Sequence, residues 1–309
     1  MKNNLAKNIS KISLVAIIFF LFSFTIQCFA QSYPFEIKKS IYHEGWIDLN
    51  KNGKMDPYEN PKLPVDERID DLISRMDVNE KTAQLVTLYG YGAVLKDQQP
   101  TITWPDSIWK DGIANIDEQL DGRHDVPSEL YWPPSKHAQA LNNIQRFFIE
   151  QTRLGIPVDF TTEGIRGLKA VKATSFPDEI GQGSTWDPEL IYQIGKVEGE
   201  EARALGYTNV YSPELDVSRD PRWGRVLSTY GEDPYLVSKL GEAMVKGLQG
   251  ENVVSTLKHF AVYSVPKGGR DGHNRTDPQL TPREVYTLFL PPFEAAVKAD
   301  ALGVMSSYN

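Results

Sequence analysis

The chain has 309 residues, 40% of them hydrophobic and 24% charged, with a formal net charge of -8. That balance suits a globular protein with a large core, and a single barrel domain of this length would be ordinary. The acidic excess argues against nucleic acid or an anionic membrane surface as partner. The lone cysteine, Cys28, excludes a disulfide framework.

Residues 1–30 read as a secretory signal: Lys2, Lys7 and Lys11 form a basic start, Ile12 to Ile26 an apolar core, and Cys28-Phe-Ala30 a small-residue cleavage site before Gln31. The apolar core is short for a membrane span. Lipidation at Cys28 is the other reading, against which stands the bulky Gln27 before it. The expectation is an exported chain, periplasmic or extracellular, with no membrane contact after cleavage and no cysteine left.

Residues 31–63 read as an N-terminal arm. Trp46-Ile-Asp-Leu-Asn-Lys-Asn-Gly-Lys-Met-Asp-Pro-Tyr-Glu59 fits D-x-[DN]-x-[DN]-G-x5-E, the pattern of an EF-hand calcium loop. Asp48, Asn50 and Asn52 would point oxygens inward, Gly53 would make the sharp turn, Lys54 would offer its carbonyl, and Asp56 and Glu59 would complete the set. Pro61 forbids a long exiting helix, so the motif would be a single structural site pinning the arm. The plainer alternative is an Asn-Gly turn with solvated acids.

Val65, Ile69, Leu72, Ile73 and Met76 form a helical stripe, and Asp77 with Glu80 forms a capping box for the next helix. Val86 to Leu88 begins a strand. From Tyr91 to Pro134 the pattern is irregular. Trp104, Trp109 and Trp132 lie there, suited to packing more than to stacking on sugar. Ser135 to Leu154 is helical with Gly155 as its stop. A strand over Ile156 to Phe160 leads into Thr161-Thr-Glu163-Gly-Ile-Arg166-Gly167. Asp187-Pro188 opens a helix to Leu205 that Gly206 ends. Strands follow at Thr208–Tyr211, Val253–Leu257 and Leu302–Ser306, with a helix over Pro234–Leu248 and a capping box at Thr281 to Glu284. Pro291-Pro292 must kink or split the last helix. Strands alternating with helices imply a parallel sheet, either a (β/α)8 barrel or a doubly wound sheet. No Gly-x-Gly-x-x-Gly follows a strand, which weakens a dinucleotide fold.

Between the strand ending at Tyr211 and the helix capped by Asp233-Pro234 lies Ser212-Pro-Glu-Leu-Asp-Val-Ser-Arg-Asp-Pro-Arg-Trp-Gly-Arg-Val-Leu-Ser-Thr-Tyr-Gly-Glu232, dense in arginines and acids. It reads as a loop. Forked guanidinium donors beside carboxylates suit a sugar, a phosphate or a carboxylate, and equally a salt-bridged structural loop.

Arg219-Asp-Pro-Arg-Trp-Gly-Arg225 with Gly231-Glu-Asp-Pro234 resembles the signature of glycoside hydrolase family 3, the β-glucosidase and β-xylosidase family. Gly155-Ile-Pro-Val158, Ala173-Thr-Ser-Phe-Pro177, Lys258-His259-Phe260 and Val304-Met-Ser-Ser-Tyr-Asn309 follow in the family's order, from about Pro64 to Asn309. The resemblance selects a (β/α)8 TIM-type barrel, cut before closure, over residues 64–309. It implies that Glu163, Arg225, Lys258 and His259 hold the sugar of the −1 subsite, Glu163 standing where Asp is usual. Arg166 stands where many members have His and is expected to contact the sugar too. Met305 and Tyr308, at the end of the last strand, join the substrate-binding set. Arg222 is expected to pair internally. The implied reaction is retaining hydrolysis with no catalytic cofactor, the nucleophile being an Asp beyond Asn309. No catalytic residue is therefore expected within this chain. Asp271-Gly-His273 is similar to an Asp-His pair of one family branch, but Ala261-Val-Tyr263 replaces that branch's Pro-Gly-His, so it reads as loop. The expected partner is a β-linked oligosaccharide or glycoside. The alternatives are a β-xylosidase, a non-catalytic sugar-binding protein, and an inactive fragment.

Overall fold

The computed structural model describes residues 33–90, 97–107, 109–120, 128–264 and 277–309. The chain divides into two compact units, residues 1–35 and 36–309, and the second carries everything that follows. The expected signal segment and Asp271-Gly-His273 lie outside the described residues.

The arm opens with a small antiparallel pair, β1 (Tyr42–His43) and β2 (Trp46–Ile47), closed by stacking of His43 on Trp46 at 4.2 Å. Six parallel strands then form one sheet: β3 (Thr87–Tyr89), β4 (Asn115–Asp117), β5 (Asp159–Glu163), β6 (Asn209–Tyr211), β7 (Val254–Phe260) and β8 (Gly303–Ser306). Each strand lies beside its successor in sequence, the order a (β/α)8 barrel requires. The sheet is an arc of such a barrel. Among the described residues β3 and β8 have no outer neighbour.

Sequence reading gives five strands for the parallel sheet, and among the described residues that sheet has six. The extra one, β4, is Asn-Ile-Asp, too short and too polar to show a period. β5 also starts later than expected, at Asp159 rather than Ile156. Pro157 has no N–H to give the ladder, which begins with Asp159 N–H donating to Ala114 O at 3.0 Å. The shift puts Glu163 within β5, as its last residue. β7 likewise runs on to Phe260 and includes Lys258 and His259.

The strands alternate by face, but not in the usual sense of polar outside. Ile116, Phe160, Val210 and Leu257 are fully buried on the helix side. The opposite, barrel-interior side is polar in its lower layer. There the Asp159 carboxylate accepts from Asn115 at 2.8 Å, Thr208 at 2.5 Å and Asn209 at 3.0 Å, while Asn209 Oδ1 accepts from Thr256 at 2.8 Å. Above this layer sit the side chains of the site.

Two helices, α1 (Val65–Arg75) and α2 (Val78–Ala83), precede β3, and α1 buries none of its residues; the apolar face is covered by α3 (Pro134–Gln151), α4 (Pro188–Leu205), α5 (Pro234–Gly250) and α6 (Leu290–Lys298). α4 and α5 cross tightly: a Cβ on Gly247 would lie 2.4 Å from Tyr192 O, and one on Gly195 2.8 Å from Met244 O, so both crossing positions need glycine. The capping boxes at Asp77 and Thr281 form, and Gly206 ends α4 at φ 100. α3 stops at Gln151, earlier than expected, because Thr152 already turns extended. The double proline acts as expected. Val285–Phe289 winds as a π-helix, and Pro291 and Pro292 then sit in the first turn of α6, where missing N–H groups cost nothing. Trp104 and Trp109 are buried against Phe147 and Phe148, so both pack; Trp132 is exposed.

Candidate active site

In parallel α/β sheets the strands' C-terminal ends gather side chains from distant parts of the sequence. Here β4 contributes Asp117, β5 Glu163, β7 Lys258 and His259, and the chain after β6 contributes Glu214, Asp216 and Arg225. Lys258, 1% exposed, is bonded to Glu163 through Oε2 and lies 3.3 Å from Glu214 Oε1. Arg225 bonds the same Glu214 oxygen, and its other terminal nitrogen lies 3.1 Å from His259 Nε2. His259 Nδ1 lies 2.7 Å from Asp216 Oδ2. The result is one line of groups: Glu163, Lys258, Glu214, Arg225, His259, Asp216.

The line fixes the histidine's state. A guanidinium only donates, so His259 Nε2 accepts, and the ring is neutral with its proton on Nδ1, given to Asp216. Burial, together with Arg225 and Lys258, pushes its pKa down to about 3, in agreement. Burial pushes Asp216 up to about 7, opposed by Arg225. The His259–Asp216 contact is therefore a hydrogen bond from a neutral ring rather than an ion pair. Burial would lower Lys258, but Glu163 and Glu214 outweigh it and hold the ammonium charged. For Glu163, burial works to raise the pKa, and Lys258, Arg225 and Lys169 bring it below its usual value. Asp117, with burial first and Glu118 and Glu163 nearby, is pushed up to about 8.

Of the residues expected to hold sugar, the structure brings four together: Glu163, Arg225, Lys258 and His259. Tyr308 adds a wall, its ring 5.2 Å from His259 and 5.2 Å from Tyr263. Met305 is half-buried on β8. Arg166 is placed elsewhere: its guanidinium, 68% exposed, pairs with Asp178 at 3.3 Å. Arg222 does pair, with Asp220 at 2.7 Å, but on the surface rather than internally.

Sequence reading missed Glu214, Asp216, Asp117 and Glu179. A signal for the first two was present. In Glu214-Leu-Asp-Val217 the apolar residues, Leu215 and Val217, are fully buried and alternate with the acids. That is a strand pattern, and Glu214 bridges Lys258 as a parallel partner. The stretch prolongs β6 instead of being loop throughout.

Two donor sets bear on metal. Glu214, Asp216 and His259 place ligand atoms within 4.8 Å of one another. Arg225 and Lys258 bond Glu214 Oε1, Arg225 also meets His259 Nε2, and Asp216 bonds His259 Nδ1; two cations beside these atoms make the set unfit for a metal ion. The arm loop differs. Asp48 accepts from Asn52 N at 3.0 Å and Gly53 N at 2.8 Å; Glu59 accepts from Leu49 N at 2.7 Å, Asn50 N at 3.1 Å and Asp56 N at 2.9 Å. Asn50 and Asn52 do not turn their oxygens to the loop's centre as expected. Their amides each donate to Asp56 Oδ2 at 2.6 Å, while their oxygens accept from Asn52 N and Lys54 N. Asp48 and Glu59 are buried and accept from backbone N–H groups, and carboxylates with a carbonyl fit a hard cation. The arm is tied to the end of α3 by Lys38 to Glu150 O at 2.5 Å, Tyr42 to Glu150 at 3.0 Å and Lys51 to Thr152 O at 2.6 Å.

Among the described residues no helix is long and apolar enough to cross a membrane. The sequence profile described as "Glycosyl hydrolase family 3 N terminal domain" matches residues 65–309. A putative β-xylosidase of Formosa agariphila is 34% identical over 264 residues, 82% of this chain and 33% of that protein. A periplasmic β-glucosidase/β-xylosidase of Dickeya chrysanthemi is 30% identical over 282 residues, 85% of this chain and 42% of that one. Among solved structures, a Listeria innocua β-glucosidase variant in complex with laminaribiose superposes with a TM-score of 0.64 at 31% identity, covering 79% of this chain and 33% of the other. The chain thus spans a third to two fifths of the length of these relatives. With the sheet, the strand-end residues and these matches in agreement, the chain belongs to glycosyl hydrolase family 3.

Proposed function

We propose that this chain forms the sugar-holding part of an exported, exo-acting β-glycosidase that hydrolyses β-D-glucosides or β-gluco-oligosaccharides with retention. The observation that carries the reading is the convergence of Glu163, Arg225, Lys258 and His259 at neighbouring strand ends. A sugar ring offers several hydroxyls, each donor and acceptor. Glu163 has one oxygen bonded to Lys258, and its other oxygen is open to accept hydroxyls. Lys258 has three N–H donors, two of them directed at Glu163 and Glu214, so the third is available to a hydroxyl oxygen. Bonds to charged partners are about twice as strong as neutral ones, and this site makes them in a water-poor setting. Neutral His259 presents its ring edge beside Arg225, and Tyr263 and Tyr308 line the same wall.

Cleavage needs two carboxyl groups, one to attack the anomeric carbon and one to protonate the leaving oxygen and then activate water. The nucleophile we place beyond Asn309, as the family resemblance implies. Glu214 is bonded to Lys258 and Arg225, and Asp216 to His259, so we assign neither of them to cleavage. A β-xylosidase is the second reading, favoured by the Formosa agariphila relative. Calcium in the arm loop would be structural and take no part in the reaction.

The test compares residues 31–309 with a polypeptide extended past the expected nucleophile, on aryl β-glucosides and aryl β-xylosides. We expect turnover only from the longer polypeptide, greater on the glucoside. Turnover by 31–309 alone would overturn the division of labour; preference for the xyloside would select the second reading.

A further inference from the structure

Glu214 is not needed to touch a sugar, yet it stands at the middle of the site. Its backbone is fixed on both sides: Glu214 N donates to Glu179 Oε1 at 3.1 Å, and Leu215 N to Lys258 O at 2.6 Å. Lys258 N in turn donates to Pro213 O at 3.2 Å. This extension of β6 along β7 sets the Glu214 and Lys258 side chains next to one another. One oxygen, Oε1, then receives both Lys258, at 3.3 Å, and Arg225.

The two cations need that anion. Lys258 and Arg225 repel each other, and each is almost wholly removed from water. Without that anion Glu163 would be drawn toward both, and an oxygen spent on a second cation is lost to hydroxyls. Glu179 does not compete for the role. It is fully buried, and burial with Glu214 beside it raises its carboxyl well above the usual range, so it is neutral and steadies the Glu214 backbone.

We propose that Glu214 is a positioning residue for the sugar site: its buried carboxylate holds Lys258 and Arg225 apart and in place, which leaves the second oxygen of Glu163 free to face the sugar. The proposal rests on the reading of these four residues as a sugar site. It assigns Glu214 no contact with substrate and no proton transfer.

The experiment is calorimetric titration of the full chain with D-glucose and, in parallel, D-xylose, for the parent, Glu214→Gln, Glu214→Asp and Lys258→Met, each with a thermal melt. Glu214→Gln keeps shape and hydrogen-bonding capacity but not charge. It is expected to weaken sugar binding tenfold or more while its melt stays cooperative and within a few degrees of the parent. Glu214→Asp keeps the charge but falls short of both cations, and should bind between the two. A purely structural role would lower the melt and restore nothing with Asp. Affinity of the Gln variant within twofold of the parent overturns the proposal. Should that variant fail to fold, Asp binding as tightly as the parent overturns it instead. A parent that binds neither sugar removes the sugar-site reading, and the proposal with it. A parent that binds, with Lys258→Met abolishing binding and Glu214→Gln unchanged, removes the proposal alone.

Discussion

Lys258→Met is the sharpest test of the ion arrangement, because methionine nearly matches lysine in length and leaves little cavity. What is lost is the charge. Glu214 retains Arg225, but Glu163 loses the cation bonded to it. Removing one partner of a buried ion pair costs roughly 3–5 kcal/mol. Glu163 is 28% exposed, and water offsets part of the loss, so the low end, about 3 kcal/mol, applies. For a domain of this size that is a fall in Tm of about 6–12 °C. The pH dependence has a definite sign. The folded carboxyl of Glu163 is depressed, so its contribution is present above the unfolded value of about 4.3 and is lost as pH falls through the folded one. The gap between parent and variant should therefore be full at pH 7 and narrow below about pH 4.3. Differential scanning calorimetry from pH 3 to 8 measures it. A variant melting within about 2 °C of the parent at pH 7 would refute the reasoning, as would a gap that does not change with pH.

Arg225→Ala, in a polypeptide extended to include the expected nucleophile, should reduce kcat/KM by a factor corresponding to about 1.5–3 kcal/mol, one charged hydrogen bond to the sugar; near-parental kcat/KM would put Arg225 outside the subsite. Calorimetry with calcium should show one site in the mature chain that Asp48→Ala abolishes, and no heat at millimolar calcium would return the loop to a simple turn. Asp117 is raised to about 8 in the fold, so the folded state binds more protons than the unfolded between about pH 4 and 8, and stability falls as pH rises through that window. Asp117→Asn should remove that loss, up to about 1.4 kcal/mol per pH unit, and melt above the parent at pH 8; identical pH profiles would show that Asp117 is ionised throughout.

Much of this arrangement was legible because its signals are local. Asp187-Pro188 and Asp233-Pro234 fix the starts of α4 and α5, and Gly206 the end of α4, each through satisfaction of a helix terminus by neighbouring atoms. Charged residues directly after apolar runs marked Glu163, Lys258 and His259 as strand-end groups. The strands themselves were harder to place. Their barrel-facing side is lined by Asn115, Asp159, Asn209 and Thr256, so the apolar run expected of a parallel strand is broken, and β4 vanished into an irregular region. Glu214 and Asp216 were hidden by a different cause. Their neighbours Arg219 and Arg222 are the exposed charges of a true loop, and composition alone does not separate a buried carboxylate bonded to two cations from a solvated one. Arg166 shows the converse: a residue of suitable type, close in sequence to Glu163, whose side chain turns to Asp178 instead.

The sequence distances across the site bear on when it forms. Glu163 and Lys258 are 95 residues apart, and Asp216 and His259 are 43 apart. Each contact closes a long loop, whereas α3, α4 and α5 close their hydrogen bonds within a turn. During refolding the helices should gain their circular-dichroism signal first. The ability to bind sugar should return only when β5, β6 and β7 stand in register, because the carboxylates and cations on them have no partners before then. Sugar binding in a stopped-flow experiment is thus a clock for the slowest event in the sheet. Substitutions that slow the pairing of β6 with β7 should delay it while leaving the helical phase untouched.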